Sequence, residues 1–243
     1  MVHVYVHQWG QGPEIVLVHG AVLGGRECWR GQRPLAERWS LSAVDRPGHG
    51  RSPVLRQDFE SESVLLADQL LDHPVHLVGY SYGGLVAMYA AALRRDNVLS
   101  LTVVEPPATA LLAGHPVVDD WAARIRALMS TASDSPLETL LRDFLALVGA
   151  PVDVVDPVHP TLLQGTRQLL GARPPDEAVV PLDSLQGLPM LAVSGGHMEP
   201  YELICDAIAA ATGASRAVCP GAGHLVPDTG APFNLILENF LTS

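Results

Sequence analysis

The segment Gly79-Tyr80-Ser81-Tyr82-Gly83 is the part of this sequence best suited to covalent chemistry. A serine hydroxyl is a weak nucleophile until a base takes its proton, and a tight turn between glycines exposes its oxygen. The flanking residues can make that turn. Before it, Val75-His76-Leu77-Val78 is a short apolar run that reads as a buried strand. After it, Leu85-Val86-Ala87-Met88-Tyr89-Ala90-Ala91 reads as a helix of mostly small residues. A reversal this tight strains the backbone at the serine, and the helix start adds free N–H groups and positive potential. The chemistry such an arrangement serves is attack on an activated carbonyl.

Something must position that turn, and the rest of the chain supplies the elements. Short apolar runs alternate with helical stretches, the rhythm of βαβ units and a parallel sheet. The predicted strands are Val2–Gln8, Ile15–His19, Leu41–Asp45, Val75–Gly79, Leu101–Glu105, Met190–Ser194 and Arg216–Cys219. Their Val- and Leu-rich character without alternation suits burial on both faces. The predicted helices are Cys28–Arg38, Glu60–Leu71, Tyr82–Arg94, Glu199–Thr212 and Ala231–Leu241, with Val64, Ala67 and Leu71 as the apolar spacing of the second. The fold class expected is α/β, a mostly parallel twisted sheet flanked by helices. From Pro107 to Leu188 the rhythm breaks. Prolines such as Pro116, Pro136, Pro151 and Pro160 cut this stretch into short helices, one of them carrying Leu137, Leu140, Leu141, Phe144, Leu145 and Val148 on one face. We expect residues 1–106 and 189–243 to form the core and 107–188 a small helical lid inserted after the strand ending at Glu105.

Composition narrows the partners. The chain has 243 residues, 48% of them hydrophobic, enough for one domain with a substantial core. Its formal charge is −11 and its 15 basic residues, all arginine, are scattered, so no nucleic-acid partner is expected. No apolar run of the length a membrane helix needs occurs, and the N-terminus alternates like a strand without a charged signal-peptide start. The three cysteines, Cys28, Cys205 and Cys219, are odd in number and far apart, which fits reduced thiols in a cytoplasm. His197 and Glu199 are close in sequence, but no third ligand stands near them, so neither metal nor cofactor is expected.

Four blocks in order give the chain a family likeness. Ile15-Val16-Leu17-Val18-His19-Gly20-Ala21, Asp45-Arg46-Pro47-Gly48-His49-Gly50-Arg51-Ser52, the Ser81 turn, and Cys219-Pro220-Gly221-Ala222-Gly223-His224 together resemble the α/β-hydrolase family. The resemblance spans nearly the whole chain outside the insertion. It implies that Ser81 is the nucleophile and His224 the general base, with the backbone N–H groups of Ala21 and Tyr82 as the oxyanion hole. His19, Asp45 and His49 are expected to brace loops, and His3, His7, His73, His76, His115, His159 and His197 to be solvated or packed.

The third triad member departs from the family pattern. Many members carry an aspartate after the penultimate strand, where this chain reads Ser194-Gly195-Gly196-His197-Met198-Glu199-Pro200. That register offers Met198 or Glu199. The competing residue is Glu105, at the end of Leu101-Thr102-Val103-Val104-Glu105-Pro106-Pro107, a position at which some members carry their acid. We take Glu105 as the acid and Glu199 as the alternative, since a strand end fixes a carboxylate better than a loop with two glycines.

The resemblance implies a cytoplasmic serine hydrolase, monomer or homodimer, that cleaves a carboxylic ester or lactone of a small molecule through an acyl-enzyme. Thioesters and carbon–carbon bonds next to a ketone are open to the same chemistry. A different class is a small-molecule binding or receptor-like protein on this fold, or a lyase or cyclase of secondary metabolism. Ser81-dependent turnover of simple esters separates these from a hydrolase.

Overall fold

The computed structural model describes residues 2–243; residue 1, counted in the core expected from sequence, lies outside them. Seven strands form one sheet: β1 (Tyr5–Trp9), β2 (Glu14–Val18), β3 (Ser40–Asp45), β4 (Val75–Tyr80), β5 (Val98–Val104), β6 (Met190–Ser194) and β7 (Ser215–Val218). Their order is β1-β3-β2-β4-β5-β6-β7, with β1 antiparallel to β3 and the other neighbours parallel. The central strands are buried almost end to end, as near-continuous apolar runs require of a sheet covered on both faces. The mostly parallel α/β architecture is the one the sequence predicts.

The helices are α1 (Gly25–Cys28), α2 (Phe59–Leu70), α3 (Tyr82–Leu93), α4 (Pro116–Thr131), α5 (Leu137–Leu147), α6 (Pro160–Leu169), α7 (Leu182–Leu185), α8 (Glu199–Thr212) and α9 (Ala231–Leu241). One face of the sheet is covered by α2, α3 and α8, the other by α9 and residues 29–39 with Trp29 and Trp39. Two local expectations change. The helix expected over Cys28–Arg38 is α1 followed by a 3₁₀ stretch, Arg30–Glu37, because Pro34 lacks the N–H an α-helix would use. In α2 Ala67 and the capping Leu71 are buried as expected, together with Phe59, Glu62, Ser63 and Leu66, but Val64 is exposed.

That buried face can include Glu62 because Glu62 has a partner. The Arg46 guanidinium donates from Nε to Glu62 Oε2 at 2.7 Å and from Nη2 to Oε1 at 3.0 Å, both side chains being 2% exposed. It also donates to Gly20 O at 2.8 Å and Gln57 Oε1 at 3.1 Å. A forked, fully hydrogen-bonded pair is the form in which buried charge is tolerated. It ties the loop after β2 to the loop after β3, and Asp45 extends the bracing by accepting from the N–H groups of Gly25 and Arg51.

The same junction holds two neutral imidazoles. His19 Nε2 accepts from Arg46 N, while His49 Nε2 lies 2.9 Å from Ala21 O and its Nδ1 3.1 Å from Pro47 O, and as a neutral ring it donates to one of the two. Burial first, and then the charge of Arg46, bring His49 down from 6.5 to about 4, and burial with His49 and Arg46 likewise lowers His19. The unfolded chain therefore binds protons below about pH 6.5 that the folded chain refuses. Stability is complete above that pH and is lost as pH falls towards 4. The melting temperature should drop between about pH 7 and pH 5, and drop less in His49→Gln. Equal losses in both proteins would remove His49 from the account.

Between β5 and β6 the chain carries α4 to α7. Leu141 of α5 and Leu169 of α6 pack with Val22 and Val158 in a small cluster of their own. Trp121, Ala178, Val180, Leu185 and Leu188 instead join the main core cluster, so both flanks of this stretch are anchored beneath it.

Candidate active site

The site lies at the C-terminal edge of the sheet, where α/β folds gather functional groups. Ser81 follows β4 directly with φ 52° and ψ −127°. Its N–H donates to Val104 O at 2.8 Å, and Gly84 N–H donates to Ser81 O at 2.8 Å. The turn closes only because Gly79 and Gly83 have no side chain. A Cβ on Gly83 would stand 2.2 Å from His19 O, and one on Gly79 2.5 Å from Gly83 O.

Glu105 follows β5 with φ 44°, its N–H donating to Val193 O at 2.9 Å. Among the described residues, Ser81 and Glu105 are the only non-glycine residues with positive φ. Backbone in such sparsely populated regions costs about 1–3 kcal/mol and collects at functional sites. Here it aims two side chains from neighbouring strands at one histidine.

That histidine is His224, in the loop after β7, whose N–H donates to Gly149 O at 3.1 Å. His224 Nδ1 lies 2.7 Å from Glu105 Oε2, and Nε2 lies 3.0 Å from Ser81 Oγ. A carboxylate only accepts, so Nδ1 carries the proton and Nε2 is free to receive one from the serine. The Tyr201 ring stacks on the imidazole at 4.7 Å and 14°, with its hydroxyl 3.5 Å from Nε2. Tyr80 packs nearby at 5.1 Å.

The carboxyl of Glu105 is fully buried, and burial alone would raise its pKa. His197 and His224 together with the Gly195 N–H, which donates to Oε1 at 2.6 Å, outweigh that and hold it below the usual range. The site thus keeps a charged carboxylate against its imidazole.

Of the two acids expected from sequence, the structure brings Glu105 to His224 and leaves Glu199 apart. Glu199 is exposed at the first residue of α8, with no hydrogen bond or ion pair among the described residues. His197 was expected to be solvated or packed, yet its Nδ1 lies 3.3 Å from Glu105 Oε1, without the alignment of a hydrogen bond, and its Nε2 lies 3.3 Å from Val148 O. Its neighbours are therefore Glu105 and His224 rather than Glu199. One side-chain nitrogen or oxygen from each of the three lies within 4.8 Å of those of the other two, near enough to hold a cation. In this arrangement the carboxylate is taken up by His224 and Gly195. The sequence places His197 just after β6, but that β6 lies beside the strand ending at Glu105 is a fact of sheet order.

Ala21 and Tyr82 line the same cavity as Ser81. The N–H of Tyr82, in the first turn of α3, has no acceptor within its own helix. The peptide that carries the Ala21 N–H is held through its Gly20 carbonyl, which accepts from Arg46 Nη1 at 2.8 Å and lies 2.8 Å from His19 Nδ1.

The profile of the Alpha/beta hydrolase family matches residues 15–234. The chain belongs to that family. It is an enzyme of the serine-hydrolase type. A pimeloyl-[acyl-carrier protein] methyl ester esterase of Methylococcus capsulatus is 34% identical over 193 residues, covering 76% of this chain and 70% of the relative. Another, from Chromobacterium violaceum, is 39% identical over 161 residues, covering 61% and 59%. Among solved structures, a bromoperoxidase from Bacillus anthracis superposes with a TM-score of 0.75 at 26% identity, over 100% of this chain and 96% of that one. An enol-lactonase from Burkholderia xenovorans LB400 shares the fold at a TM-score of 0.73 and 18% identity, over 99% and 96%. No helix among the described residues is long and apolar enough to cross a membrane.

Proposed function

We propose that this protein hydrolyses a carboxylic ester through an acyl-enzyme, with Ser81 as nucleophile, His224 as base and then acid, and Glu105 as orienting carboxylate. The observation that carries this reading is the unbroken line from Ser81 Oγ through both nitrogens of His224 to Glu105. As Oγ attacks the carbonyl carbon, Nε2 takes its proton, and the imidazolium is stabilised by the buried carboxylate. The developing oxyanion is received by the N–H groups of Ala21 and Tyr82, donors typically worth about 3 kcal/mol each. Nε2 then protonates the departing alcohol, and water repeats the sequence to release the acid.

Residues 107–188, with α5 above Ser81, act as the lid of this reading, since Phe144 and Val148 line the cavity that Ser81 opens into. The relatives named for cleavage of a methyl ester favour an ester over a lactone or a carbon–carbon bond. Reaction with a fluorophosphonate, followed by mass mapping, should place one adduct on Ser81, and p-nitrophenyl esters should be turned over by unlabelled protein only. A protein that accepts no label and cleaves no ester would refute the reading.

A further inference from the structure

We infer that α5 divides the space above Ser81 into an acyl chamber and an alcohol chamber, so that the substrates are esters with a sizeable apolar group on each side of the carbonyl; this rests on the ester-hydrolase reading. Two cavities, of about 500 Å³ and 310 Å³, meet at Ser81 and share Ala21, Phe144 and Val148 as a partition. Each alone falls in the range of roughly 300–1,000 Å³ typical of ligand pockets. A substrate that filled only one would leave a ligand-sized space beside the reacting carbon.

The chemistry decides which half goes where. In the acylation step the Ser81 Oγ–carbon bond forms and the carbon–alcohol oxygen bond breaks. The proton taken from Ser81 passes through His224 Nε2 to the departing oxygen, which leaves as the alcohol. That oxygen must therefore lie on the His224 side. His224, with Leu225 and Asp228 after it, lines the smaller cavity and not the larger. On the other side Tyr201, which lines the larger cavity, lies flat against the imidazole and screens it. The smaller cavity is thus the alcohol chamber and the larger the acyl chamber.

Their walls define the halves. Ile125, Met129 and Leu169 give the acyl chamber apolar walls, and at its rim the paired Arg126 and Asp176 are 52% and 27% exposed. That suits an aliphatic or arylaliphatic acyl chain whose far end reaches solvent beside charge. Val22 and Leu162 line the alcohol chamber, and Arg30, with its partner Asp228, stands at its opening. An alcohol well beyond methyl, such as benzyl, fits it. A methyl group would leave most of the 310 Å³ to water, so the preference should differ from that of the methyl-ester relatives.

Two ester series test this by kcat/KM: octanoates of methyl, butyl and benzyl alcohol, and benzyl esters of acetic, hexanoic and octanoic acid. Wild type should prefer benzyl to methyl octanoate. Met129→Trp should lower the octanoate-over-acetate ratio by about 10-fold or more, and Leu162→Trp the benzyl-over-methyl ratio by a similar factor. Met129→Phe and Leu162→Phe, smaller changes at the same walls, should move the same ratios less and cover the case of a variant that fails to fold. The reverse pattern, with Leu162 governing acyl length, overturns the assignment while leaving the hydrolase intact. A wild-type preference for the methyl ester overturns the alcohol chamber. Failure of every ester together with failure of Ser81 to take a fluorophosphonate overturns the underlying reading as well.

Discussion

Ser81→Ala should lower ester turnover by about 10⁴-fold or more while leaving the melting temperature close to wild type. The serine is 7% exposed and the one side-chain hydrogen bond it makes among the described residues is to His224, so the lost hydroxyl costs the fold a single hydrogen bond. The strained turn persists, because alanine and serine share the same difficulty at positive φ and the backbone bonds to Val104 and Gly84 are untouched. What disappears is the atom that, on the proposed reading, forms the acyl-enzyme. The double variant Ser81→Ala, His224→Ala should be scarcely slower than either single one, since groups acting as a unit are lost as a unit. Activity above a few per cent of wild type in Ser81→Ala, or losses that multiply in the double variant, would mean that the nucleophile lies elsewhere.

Glu105→Gln should cost about 10²- to 10⁴-fold in kcat, and Glu199→Gln almost nothing. Glutamine keeps the size of the side chain and can still accept from Gly195, so the fold has little to lose. Its amide, however, can present N–H to His224 Nδ1. The imidazole then keeps its proton on Nε2, the nitrogen that must receive the one from Ser81. The wrong tautomer, rather than a collapsed site, is the expected defect. The readout is kcat on one ester with KM held in view: a fall in kcat at near-constant KM fits the loss of orientation. A large effect at Glu199 with little at Glu105 would move the acid to the start of α8.

The turn around Ser81 was legible because every part of it is local: apolar strand, flanking glycines, and helix in one unbroken stretch. Glu105 was only half legible. Its claim depends on β5 lying between β4 and β6, a fact of sheet order that no spacing along the chain contains. His197 and Tyr201 were missed for the same reason, since each meets His224 across more than twenty residues of chain. The buried face of α2 was legible at Ala67 and Leu71 but not at Glu62, because a hydrophobic pattern does not register a charged residue that is buried with its partner: Glu62 looks like solvent until Arg46 is seen beside it. Pro34, by contrast, was visible, and the helix expected across it ignored an ordinary rule. The stretch 107–188 stood out by its prolines, but Ala178, Val180, Leu185 and Leu188 could not be separated from it by composition, although they pack in the main core.

The two strained backbones at Ser81 and Glu105 also bear on how this protein would respond to selection. Glycine relieves a positive φ at no steric cost, and each such position otherwise withholds about 1–3 kcal/mol from stability. A library screened for heat resistance alone would therefore find gains at Ser81 early, each of them an inactive protein on the proposed reading, whereas at Glu105 the relief is offset by leaving the buried Gly195 N–H and His224 Nδ1–H without their acceptor. Stabilising the enzyme without disarming it means leaving both alone and working elsewhere, for example at the exposed Val64 or Val179. The margin spent on holding a serine and a glutamate in unfavourable backbone is what keeps them pointed at one histidine when no substrate is bound.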